Sequence, residues 1–110
     1  KLNLDVIVAN AIEDMKKKGF KNVREINWAY VPQAIKKEVV VAVRICVDDF
    51  HWIRYCNYAS GWLHKPGDSA IIKLKGYPSY YSIWEDERYD GYWWCTDTTY
   101  TSTVRYIAFN

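Results

Sequence analysis

The sequence predicts an α+β domain: one N-terminal helix packed on a curved, mostly antiparallel sheet of about six strands, arranged as a roll. Three observations carry this expectation. Residues 4 to 18 have the apolar spacing of an amphipathic helix. The chain beyond residue 22 falls into short alternating or β-branched runs separated by Pro, Gly and Asp turns. Its 110 residues amount to one domain, in which a single helix covers only one face of so wide a sheet.

The helix has signals at both ends. Asn3 is a suitable N-cap and Asp5 lies in the first turn. Leu4, Ile7, Val8, Ala11, Ile12 and Met15 share one stripe. Lys16, Lys17 and Lys18 close the last turn, Gly19 is the natural residue just beyond it, and Phe20 is placed to fold back.

Val23 to Tyr30 alternates and reads as a strand, with Ile26, Trp28 and Tyr30 on its apolar side and Pro32 ending it. Gln33 to Lys37 reads as a loop or a single helical turn. Val39 to Val47 is the strongest strand; its run of four apolar residues, Val39 to Ala42, marks it as central. A hairpin about Asp48-Asp49 leads to a strand over 50–58, and a further strand covers 70–75, closed by Gly76. Strands near 80–84, 92–96 and 101–109 complete the set. This plan resembles that of cystatin-like and NTF2-like rolls. The Gln-x-Val-x-Gly loop and the Pro-Trp pair of cystatin inhibitors are absent from the chain.

Composition is that of an ordinary globular domain, 50% hydrophobic and 25% charged, and the net charge of +2 argues for neither nucleic acid nor an anionic membrane. No apolar run is long enough to span a bilayer. The chain starts at Lys1, which fits a mature form, a trimmed chain or a domain excised from a longer one; this start gives no reading of compartment. Oligomeric state is equally unread. Three cysteines permit at most one disulfide and have no metal-ligand spacing. They read as reduced core thiols, although the 50–58 hairpin sets Cys46 and Cys56 near opposite each other, which would suit a disulfide. No cofactor motif is present.

The unusual feature is aromatic. The chain has 6 Trp, 10 Tyr and 3 Phe, and nine of these lie between Tyr77 and Tyr100. A two-residue turn at Asp90-Gly91 would pair Tyr89 with Tyr92, Arg88 with Trp93 and Glu87 with Trp94. One face then carries Tyr81, Ile83, Glu85, Glu87, Tyr92 and Trp94; the other carries Tyr80, Trp84, Asp86, Arg88, Trp93 and Cys95. A core can take only one of these faces. The other is a candidate binding surface, because Trp, Tyr and Arg are the usual anchors of interfaces.

The adopted reading is therefore a non-enzymatic domain that presents aromatic residues of a C-terminal meander to a protein partner. Its candidate contacts are Tyr80, Trp84, Arg88 and Trp93, with Trp62 from the joining loop. Two alternatives stand beside it. His51 or His64 could supply the acid and base of a small endoribonuclease, and the plan also resembles that of small α+β ribonuclease toxins; nucleic acid enters as a partner only by this route. A sheet–helix pocket lined by Trp28, Trp52 and Trp94 could hold a small molecule.

Overall fold

The computed structural model describes residues 2–45, 50–58, 61–64, 72–73, 94–95, 98–99 and 104–110. The expected α+β class is what it shows. Helix α1 (Leu4–Lys17) is followed by β1 (Arg24–Ile26), a short 3-10 turn η1 (Trp28–Tyr30) and a one-turn helix α2 (Val31–Ala34). Then come β2 (Val39–Ile45), β3 (Phe50–Cys56), β4 (Gly61–His64), β5 (Ile72–Lys73), β6 (Trp94–Cys95), β7 (Thr98–Thr99) and β8 (Arg105–Phe109). Six strands form an open, curved antiparallel sheet in the order β1-β8-β2-β3-β4-β5. β6 and β7 form a separate two-stranded ribbon.

The ends of α1 are built as the sequence expects. The Asn3 side-chain oxygen accepts the backbone N–H of Asp5 at 2.9 Å and that of Val6 at 3.4 Å, a cap worth about 1 kcal/mol. At the other end the Gly19 N–H donates to the Lys16 carbonyl and the Phe20 N–H to the Met15 carbonyl. That pair of bonds is the Schellman closure, and it needs the left-handed φ of 92° at Gly19. It turns Phe20 back so that its ring meets Phe109 edge-on, with centroids 5.0 Å apart.

Strand β8, from the C-terminal end of the chain, lies between β1 and β2. Its pairing with β1 begins irregularly. Lys21 and Asn110 exchange backbone hydrogen bonds of 3.1 and 2.8 Å, yet the next register pair is Arg24 with Ala108. The β1 side therefore holds one extra residue, a bulge, and Asn22 takes it up with φ of 56°. Asn tolerates that conformation better than most residues.

Both faces of the sheet are covered. On one face Val43, Ile107 and Phe109 pack with Val8 of α1. On the other, Val40, Ala42, Ala108 and Tyr106 pack with Val31, Ala34 and Ile35 from the α2 segment. The run of four apolar residues at the start of β2 follows from this double burial. The small side chains of Ala42 and Ala108, both fully buried, leave room for α2 to approach.

One ion cluster ties α1 to the sheet. Arg105 of β8 donates to Asp5 at 2.5 Å and through two nitrogens to Glu25. These carboxylates push the guanidinium further above its already high range, first through the Glu25 bonds and then through Asp5. Burial pushes the Tyr106 phenol up as well, and the positive charge of Arg44 offsets part of that.

Two expectations are corrected in detail. The strand expected over 23–30 stops at Ile26, because the Asn27 side chain accepts the Ala29 N–H at 3.0 Å and starts the 3-10 turn instead. The strand expected to end at residue 58 ends at Cys56. Cys56 lies beside Gly61 of β4 and is a free thiol, half-buried; Cys46, expected near opposite it, lies outside the described residues.

Candidate functional site

A concavity follows from how the chain leaves β1. Asn27 breaks the strand, η1 turns it, and Pro32 in the first turn of α2 supplies a fixed φ where no N–H is needed. The chain then runs back past β1 to reach β2. Between β1 and this return lies a cleft of ≈ 620 Å³. Arg24, Glu25 and Ile26 line it from β1; Tyr30, Gln33, Lys36 and Lys37 line it from the return segment. Ala34 is buried and Ile26 half-buried, whereas Tyr30, Gln33, Lys36 and Lys37 are exposed. The cleft thus has an apolar base and a polar, aromatic rim.

Its charges are not equivalent. Arg24 grips Glu38 through both guanidinium nitrogens, at 2.6 and 2.9 Å. This bidentate bond holds the Glu38 carboxyl below its usual range, against an opposing effect of burial and with a smaller coulombic contribution. Glu25 is held by Arg105. Lys36 and Lys37 are exposed and have no carboxylate partner among the described residues.

The Glu38 pair makes a prediction about pH. Its folded-state pKa lies below the unfolded value, so its stabilisation is present above about pH 4.3 and is lost as pH falls through the folded pKa. Arg24 is half exposed, so solvent screening limits the effect. Glu38→Gln should cost less than about 1 kcal/mol near neutral pH and nothing in acid. Urea denaturation of both proteins at about pH 7 and about pH 3 checks this; an equal cost at both would show that charge is not involved.

The residues expected from sequence are placed as follows. Trp62 is fully buried. Its ring meets Tyr55 edge-on at 5.5 Å and lies 6.4 Å from Tyr106, so in this structure it is core rather than outward-facing. Tyr80, Trp84, Arg88 and Trp93 lie outside the described residues, as does the Asp90-Gly91 turn. Trp94 and Cys95 pair with Thr99 and Thr98. His51 lies half-buried on β3 opposite the buried Arg44, and His64 lies on the neighbouring β4 opposite Ile72. Among the described residues no group of His, Cys, Asp and Glu could hold a metal ion, and no helix is long and apolar enough to cross a membrane.

The structure does not bring Trp28 and Trp52 together in one sheet–helix layer. Trp52 packs with the α1 core, whereas Trp28 lies on η1 and is 52% exposed. Tyr30, at 66%, is more exposed still. Sequence reasoning put both on the apolar face of a strand and so missed them as surface residues. The signal was present in Asn27 and Pro32, which bracket them and favour a turn. No family model matches the chain, and no curated protein or solved structure matches it either.

Proposed function

We propose that this chain is a non-enzymatic domain that binds a protein partner, and that Trp28 and Tyr30 are anchors of that interaction. The observation that supports this reading is their exposure on a short turn fixed by the Asn27 cap and by Pro32, with Tyr30 at the rim of the cleft. Two large aromatics held rigidly in water bring interface area at small entropic cost. Among the described residues neither belongs to a buried core cluster. The sequence-expected contacts Tyr80, Trp84, Arg88 and Trp93 are kept as a second set within the same proposal.

The test separates binding from folding. Affinity capture from an extract of the source cells, with mass spectrometry, is run on the wild type and on Trp28→Ala/Tyr30→Ala. The double variant should lose the captured protein, with at least about a tenfold fall in affinity, which is the scale of an interface hot spot. Its stability should change by no more than about 0.5 kcal/mol per exposed residue. Undiminished capture by the double variant would refute the role of this rim. Trp84→Ala and Trp93→Ala, measured in the same way, assess the second set.

A further inference from the structure

We infer that the cleft between β1 and the return segment takes an extended, acidic stretch of a partner polypeptide. The inference rests on the protein-binding reading above and adds the chemistry of the partner.

The charges of the cleft carry the argument. Glu38 is paired with Arg24, and Glu25 is held by Arg105, which also serves Asp5. Lys36 and Lys37 are left at the rim with no opposite charge among the described residues. The complement of such a surface is a ligand that brings carboxylates to the rim and apolar groups to the base formed by Ile26 and Ala34. The backbone adds to this. Among the described residues β1 pairs with one strand, β8. In an antiparallel pair alternate residues aim their N–H and C=O away from the partner. Those groups of β1 that have no partner among the described residues would pair with an extended chain, the mode in which a peptide adds to a sheet edge. β1 has three residues, so backbone pairing is short and the rim side chains must supply much of the selectivity.

Other occupants fit less well. A second copy of this chain placed face to face would oppose Lys36 and Lys37 with the same two lysines. A nucleic acid would match Lys36 and Lys37 but would leave the edge of β1 unused.

A random-peptide display library selected on the wild-type chain, with counter-selection on Trp28→Ala/Tyr30→Ala, tests the inference. Enriched peptides should carry Asp or Glu alternating with apolar residues. Synthetic representatives should bind about tenfold more weakly to Lys36→Glu/Lys37→Glu, and more weakly as salt is raised. Lys16→Gln/Lys17→Gln/Lys18→Gln, which alters an exposed basic run on α1, should bind them as the wild type does. Peptides with no acidic bias, equal binding by the charge-reversed variant, or no enrichment would each overturn the inference. So would binding of oligothymidylate through Lys36 and Lys37 in place of any peptide. The protein-binding reading fails separately, if Trp28→Ala/Tyr30→Ala captures the partner as the wild type does.

Discussion

Removal of residues 105–110 is expected to unfold the chain. β8 has a neighbour on each side, so its loss strips β1 of its one partner among the described residues and exposes an edge of β2. Ile107 is fully buried and Phe109 nearly so, and burial of each such side chain contributes about 1.5–3 kcal/mol. The backbone bonds to two strands and the Arg105 cluster are lost as well. A domain has only about 5–15 kcal/mol of net stability to lose. The truncated chain should therefore show no cooperative thermal transition by circular dichroism. A graded variant guards against an uninformative failure to express: Ile107→Ala should retain the fold and cost about 2–5 kcal/mol in urea. A cooperative transition in the truncated chain, or an Ile107→Ala cost near zero, would contradict the central placement of β8.

The second large effect is at Trp62. Trp62→Ala should cost about 3–5 kcal/mol, since it empties a fully buried site between Tyr55 and Tyr106. Trp62→Phe should behave differently. The indole Nε1 is buried and has no hydrogen-bond partner among the described residues. A buried donor left unpaired costs about 1–3 kcal/mol, and phenylalanine removes it while keeping most of the ring. The lost volume and the relieved donor should nearly cancel, leaving Trp62→Phe within about 1 kcal/mol of the wild type. Urea denaturation of both variants decides the matter. If Phe costs as much as Ala, the indole N–H is in fact bonded and the site is polar.

Much of the fold was legible in the sequence because its strongest signals are local. Asn3, Gly19 and the Leu4–Met15 stripe define α1 with few competing solutions, and the Val39–Ala42 run marks a strand buried on both faces. The position of β8 was not legible. Nothing in Arg105 to Phe109 distinguishes a strand between β1 and β2 from one at an edge, since that choice is made by contacts far apart in sequence. The end of β1 was misread because alternation over Val23–Tyr30 outweighed the turn chemistry of Asn27.

The candidate site was less legible than the fold. Aromatic density drew attention to residues 77–100, and Trp62 was counted with them because it sits near Gly61 in a turn-rich stretch. Burial of Trp62 depends on its strand register opposite Tyr55, which composition does not encode. Trp28 and Tyr30 were hidden for the converse reason: a period-two pattern looks the same whether or not the strand continues. Arginines hold Glu25 and Glu38 from different elements, so the lack of a carboxylate partner for Lys36 and Lys37 among the described residues emerges only in three dimensions.

The insertion of β8 between β1 and β2 also imposes an order of assembly. β2, β3 and β4 are joined by short connections and can pair with little loop closure. Among the described residues β1 has no sheet neighbour until β8 arrives. Arg105 and Glu25, which meet there, are 80 residues apart in sequence, and the entropy of closing so long a loop must be met before its contacts repay it. The slot beside β2 thus stays open through early folding and is filled last from one side and then the other. A bulge at Asn22 and an arginine that reaches both α1 and β1 lie where this late strand locks the two halves of the molecule together.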